Sequence, residues 1–154
     1  MAFAGLVAAA IVALSASQSP TMSPVRVGLL IGEPISATVG FTLSERFILQ
    51  ADIGPSTSSR QSVIAAADLV YTLPEVFGGD LSRDHFVPWF GLGLRLSMGK
   101  DDTPNRFGPR IPFGISFFAA ENSIELFASI APGLSFAPDV WSSLDGGLGV
   151  RVAF

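Results

Sequence analysis

Leu144-Asp-Gly-Gly-Leu-Gly-Val-Arg-Val-Ala-Phe154 decides the fold. In an extended strand, side chains alternate between two faces. Leu148, Val150, Val152 and Phe154 then share one face, and Asp145, Gly147, Gly149, Arg151 and Ala153 share the other. One face is unbroken hydrocarbon; the other carries charge and glycine. A soluble sheet could make this pattern once. A transmembrane β-barrel makes it in every strand, because its outside meets lipid and its inside does not.

The pattern repeats. Turn-forming clusters divide the chain from Val25 onward into eight predicted strands, at 25–32, 35–43, 46–54, 62–72, 86–97, 108–118, 123–136 and 144–154. In each, one face is apolar: Val25, Val27, Leu29 and Ile31 in the first, Phe86, Pro88, Phe90, Leu92, Leu94 and Leu96 in the fifth. No charged residue falls on that face in any strand. The opposite face holds Arg26, Asp52, Asp68, Arg95, Arg110, Glu125, Asp145 and Arg151, four arginines against four carboxylates, together with Gln50. The other charges lie in the separators or at strand ends.

This partition sets which face is outside. A soluble barrel turns its apolar face inward and needs a charged exterior, but only 14% of this chain is charged, against roughly 25% in ordinary soluble domains. The reverse arrangement fits lipid, where a strand needs about 9–11 residues to span the hydrocarbon and closure pairs every backbone donor and acceptor. The expected fold is therefore an all-β, eight-stranded, antiparallel up-and-down transmembrane β-barrel over residues 25–154. Eight staves leave an interior just wide enough for side chains, so the eight charges are expected to form an ion-pair network that fills the lumen. The alternative is a narrow channel for small solutes or ions.

Alternating strand direction gathers Phe41, Phe47, Tyr71, Phe86, Phe117 and Phe154 at one rim, read as the periplasmic aromatic girdle of such a barrel. Prolines disturb the scheme, because proline cannot donate to a β-ladder. Pro109 and Pro112 predict a late start to the sixth strand, and Ala131-Pro132-Gly133 predicts a bulge.

Phe3 to Leu14 is an apolar run followed by Ser15-Ala16-Ser17-Gln18-Ser19-Pro20, read as a secretory signal peptide over residues 1–19. Cleavage after Ser15, Ser17 or Ser19 is compatible with it. The run is too short for a spanning helix, and no Lys or Arg precedes Arg26 to supply a basic n-region.

Composition narrows the chemistry. A net charge of −4 argues against nucleic acid as a partner. The absence of cysteine excludes disulfides and thiolate metal sites, and a lone histidine, His85, excludes a multi-histidine site within one chain. Ser82-Arg83-Asp84-His85 offers a nucleophile, an acid and a base, but consecutive loop residues rarely converge as a triad requires. It is read as a solvated loop, with a lipid-active enzyme as the remaining alternative. Lys100-Asp101-Asp102-Thr103-Pro104-Asn105 lacks the glycine and spacing of a calcium loop and is read as a solvated turn. Trp141 is read as an interfacial anchor, with a partner-binding patch alongside Phe136 as the alternative. No catalytic residue, cofactor or metal is expected.

The stretches Asp68-Leu-Val-Tyr-Thr-Leu73, Val87-Pro-Trp-Phe-Gly-Leu-Gly-Leu-Arg-Leu96, Arg106-Phe-Gly-Pro-Arg-Ile-Pro-Phe-Gly114, Glu125-Leu-Phe-Ala-Ser-Ile-Ala-Pro-Gly-Leu134 and Asp145-Gly-Gly-Leu-Gly-Val-Arg151 carry a resemblance. Together they resemble a family of small bacterial outer-membrane β-barrel proteins of unknown function, similar in architecture to the OmpA transmembrane domain. The resemblance covers the chain from about Asp68 to Phe154. It implies an eight-stranded barrel at an outer-membrane location, with outer-membrane lipid as surroundings and Phe154 as the C-terminal signal read by the barrel-assembly machinery; a monomer is expected. It brings no enzymatic activity. The expected role is structural or surface interaction.

Overall fold

The computed structural model describes residues 25–57, 61–74, 86–119, 123–136 and 138–154. The signal peptide over 1–19, most of the separator from Pro74 to Asp84, and Ser82–His85 lie outside the described residues. Among the described residues there is no helix and there are nine strands: β1 Val25–Glu33, β2 Ser36–Thr42, β3 Phe47–Pro55, β4 Gln61–Thr72, β5 Phe86–Gly99, β6 Arg106–Arg110, β7 Phe113–Ala119, β8 Ile124–Ser135 and β9 Trp141–Ala153. All pairings are antiparallel, and they close into a ring: β1 pairs with both β2 and β9, and β4 pairs with β5.

The ring has eight staves because β6 and β7 together make one. Both follow β5 in a single register, from Phe86 opposite Phe117 through Phe90 opposite Phe113 to Ser97 opposite Arg106. The stave is interrupted at Ile111–Pro112, where Pro112 supplies no donor and Pro132 of β8 supplies none back. The remaining groups still pair: the Gly91 amide donates to the Pro112 carbonyl at 2.8 Å, and the Ile111 amide donates to the Pro132 carbonyl at 2.9 Å. Two sequence expectations are corrected here. The sixth strand does not start late; it begins at Arg106 and loses its ladder only midway. No bulge forms at Ala131-Pro132-Gly133, which runs in unbroken register against Asp145, Leu144 and Ser143. The proline rings are accommodated by omitted hydrogen bonds, without an inserted residue. A register shift does occur between β4 and β5, at Gln61/Val63.

One circuit of paired residues runs Ala153, Arg26, Gly40, Gln50, Asp68, Gly93, Arg110, Gly133, Ser143. It returns to β9 ten residues before its start, a shear of ten for eight staves. With about 3.3 Å per residue and about 4.8 Å between strands, this geometry sets a strand tilt of about 40° and a backbone radius of about 8 Å.

The polarity of this ring is inverted relative to a soluble barrel. The large apolar side chains face outward: Leu29, Ile31, Leu92, Ile130, Leu144 and Leu148 are among the most exposed residues, with Ile31 71% and Leu148 69% exposed. Inside lie Asp52, Asp68, Arg95, Arg110, Glu125, Asp145 and Arg151, each buried, with Asp68 only 1% exposed. A small apolar core shares the interior, formed by Leu30, Val70, Trp89 and Phe127, with Ile48 against it. Two glycines make room for it. A Cβ on Gly114 would run into the Trp89 indole, and one on Gly149 would run into the Phe127 ring.

Candidate functional site: a charged interior in two sets

The eight charged residues expected to face inward all do so, and every one takes part in an ion pair. They separate into two sets.

The first set centres on Arg110 from β6. Its Nε donates to Asp68 Oδ1 at 2.7 Å, and its Nη2 closes a second hydrogen bond to Asp68 Oδ2. This two-pronged fit of a planar guanidinium to a carboxylate is the strongest arrangement available to such a pair. Nη2 also reaches Asp52 Oδ2 at 2.9 Å, and Nη1 reaches Asp145 Oδ2 at 3.5 Å. Arg95 donates from Nε to the same Asp145 oxygen at 2.6 Å. Gln50 Nε2 donates to Asp52 Oδ2 at 3.3 Å. Five staves therefore contribute: β3, β4, β5, β6 and β9. Local sequence explains why the side chains converge. Each residue occupies an inward position of its strand, and Gly93, opposite both Asp68 and Arg110, leaves the space that the Asp68 carboxylate fills.

The second set centres on Arg151 from β9. Its Nη1 lies 3.4 Å from Glu125 Oε1, its Nε and Nη2 donate to Thr38 Oγ1 at 3.1 and 3.0 Å, and its guanidinium lies 4.0 Å from the Phe127 ring centroid. Ser116 donates to Glu125 Oε1 at 2.6 Å and accepts from Trp89 Nε1 at 3.0 Å. Arg26 is the loosest member, with Nε 4.0 Å from Glu125 Oε2 and its guanidinium 5.1 Å from the Phe118 ring.

Trp89 links the sets. It lines a cavity of about 10 Å³ beside Asp52, Asp145 and Arg110, while its indole N–H reaches the Ser116–Glu125 pair. A cavity of that size holds about one water, so side chains fill the interior at this level.

The six rim aromatics sit at one end of the ring. Phe47 and Tyr71 are cross-strand partners with ring centroids 5.2 Å apart, and Phe86 and Phe117 are partners at 4.9 Å. Phe41 pairs with Val25, and the Phe154 amide donates to the Val25 carbonyl at 3.0 Å. Phe90 extends the cluster, 5.8 Å from Tyr71, and Arg46 Nη1 donates to the Tyr71 hydroxyl at 3.2 Å.

Two charges escape sequence reasoning because they stand at strand ends, Arg106 on the inward face and Glu33 on the outward parity of β1. Arg106 opens β6, buried, with its guanidinium 4.5 Å from the Trp141 ring and Nη2 3.8 Å from Asp139. Glu33 closes β1 and accepts hydrogen bonds from the Ser56 hydroxyl and from the Thr57 amide and hydroxyl. The available signal for Arg106 was the alternation that runs back from Arg110 through Gly108, with Phe107 and Pro109 on the other face. Trp141 thus carries Arg106 on its face. Asp101 and Asp102 are exposed on the β5–β6 turn, with Asp101 in the left-handed region at φ 54°. Among the described residues no group of three or more His, Asp or Glu is arranged to hold a metal ion.

The fold and interior define a class: a closed antiparallel ring with an apolar outside and an ion-paired inside. No family model, curated protein or solved structure matches the chain.

Proposed function

We propose that this protein is a closed β-barrel of the bacterial outer membrane, monomeric, surrounded by outer-membrane lipid, with a structural or surface-interaction role and no catalytic chemistry. One observation carries the reading: apolar side chains cover the outside of the ring while charged ones fill its interior. Water would have to solvate a belt of Leu, Ile, Val and Phe on every stave, far beyond the few hundred Å² of contiguous apolar patch usual on soluble monomers. Dimensions agree with it. The longest strands, β4, β5, β8 and β9, have 12, 14, 12 and 13 residues. At the tilt above, a 12-residue strand rises about 30 Å, enough for the apolar band of about 25 Å on such barrels. The rim aromatics match an interfacial girdle, and Phe154 is read as the signal for the barrel-assembly machinery.

The filled lumen favours a plug over a pore. In planar bilayers the wild-type protein is expected to be electrically silent. Arg95→Ala combined with Arg110→Ala, which strips the guanidiniums from the first set, is expected to introduce small, irregular leak currents. Stepwise conductance by the wild type would replace the plugged barrel with the narrow channel.

A further inference from the structure

The eight charges of the two sets, four of each sign, do not balance where they sit. In the first set two guanidiniums, Arg95 and Arg110, meet three carboxylates, Asp52, Asp68 and Asp145. In the second, Arg26 and Arg151 meet the single carboxylate of Glu125. The apolar core, with Trp89 reaching both sets, stands between them. The first set therefore carries one negative charge in excess, in surroundings where an uncompensated charge is very costly.

The cavity lies beside that excess. Asp52 borders it and is 7% exposed; its Oδ2 is taken by Arg110 and Gln50, while its buried Oδ1 has no hydrogen-bond partner. Asp145 borders the cavity as well, and Gln50 and Ser129 line it with neutral oxygen-bearing side chains. A neutral water in the cavity would satisfy the hydrogen bond of Asp52 Oδ1 but would leave the excess charge uncompensated. A small cation satisfies charge and geometry together, because hard cations take carboxylate, amide and hydroxyl oxygens as ligands. Space for about one water matches a dehydrated alkali ion and excludes a hydrated one. A single unpaired carboxylate oxygen suits a monovalent ion better than a divalent one, which commonly draws on several carboxylates.

We infer that the cavity beside Asp52 is a binding site for a small monovalent cation of the sodium class, which completes the charge balance of the Arg110 set. The site lies inside the ring, so the inference does not rest on what covers the outside.

The full-length barrel, refolded in zwitterionic micelles, tests this with sodium chloride against N-methyl-D-glucamine chloride at equal ionic strength. Sodium is expected to raise the urea midpoint of unfolding in a saturable way, and the wild-type protein is expected to broaden the ²³Na resonance. Asp52→Asn, which retains the Arg110–Asp68 pair, is expected to lose both effects. Ser129→Ala, an uncharged change in the same wall, is expected to weaken sodium binding severalfold, and it serves where Asp52→Asn does not refold. Equal midpoints in the two salts with no ²³Na broadening for the wild type would overturn the inference. So would an unchanged sodium response in both variants, or a midpoint that follows pH alone, which would assign the missing charge to a proton. Heat-modifiable migration of each sample shows separately whether the barrel is intact.

Discussion

Arg110→Ala is expected to cost about 3–5 kcal/mol of folding stability, the range for breaking a buried ion pair from one side. The magnitude follows from what the substitution leaves behind. Arg110 is 5% exposed and, among the described residues, is the one cation that touches Asp52, Asp68 and Asp145 together. Without it Asp68, 1% exposed, loses both of its guanidinium hydrogen bonds, and Asp52 keeps only the amide of Gln50. Arg26→Ala supplies the internal comparison. Its guanidinium stands 4.0 Å from Glu125 at 12% side-chain exposure, and Glu125 retains Arg151 and Ser116 when it is gone. Its cost is expected to be clearly smaller. Urea titrations in micelles, followed by heat-modifiable migration and tryptophan fluorescence, give both values. Adding Asp68→Asn to Arg110→Ala is expected to recover part of the loss, since contacting residues couple non-additively. Equal costs for the two arginines would mean that the interior charges are solvated rather than sealed.

Leu92→Arg is the second large effect, and its sign depends on the solvent outside the ring. Leu92 lies midway along β5, 68% exposed, opposite Leu69 of β4. On a water-facing surface such a change falls within about 0.5 kcal/mol of neutral. In a bilayer an arginine near the midplane of a barrel's lipid face costs about 2–4 kcal/mol. Unfolding in lipid vesicles is expected to show the larger value for Leu92→Arg and almost none for Asp102→Arg, on the exposed β5–β6 turn. A neutral Leu92→Arg in vesicles would remove lipid from the outer face.

The two faces were legible because they rest on a local rule. A period of two sorts Val27 from Arg26, or Leu148 from Arg151, wherever the strand is correctly phased, and an error of a residue at an end changes nothing in the middle. The inward face of the eight charges follows from phase alone, and the six rim aromatics follow from phase together with the alternating direction of successive strands. The pairing of a given arginine with a given carboxylate does not. Arg110 meets Asp68 because the β4–β5 and β5–β6 registers put both opposite Gly93, and a one-residue slip of either pairing would move the partners apart. Turn composition does not determine register to that accuracy. Arg106 and Glu33 were missed for a related reason, since boundaries placed two residues or one residue inside the observed strands put both in the separators. The proline stave was misread because the local rule counts Pro109, Pro112 and Pro132 as disruptions one at a time. In the ring Ile111 and Pro112 lie against β8 in continuous register, and neighbouring donors and acceptors keep it.

The central claim is that lipid covers the outer face while the interior stays closed. The chain has no cysteine, so single cysteines at Leu92, Ile130 and Leu148 can carry a nitroxide without further changes. The direct measurement is power saturation of these labels in lipid vesicles, comparing collisions with oxygen, which concentrates in the bilayer, with those of a water-soluble nickel chelate. The account predicts that oxygen dominates at all three positions, while a label at Asp102 on the turn favours the nickel chelate. Dominance of the nickel chelate at Leu92, Ile130 and Leu148 would contradict it.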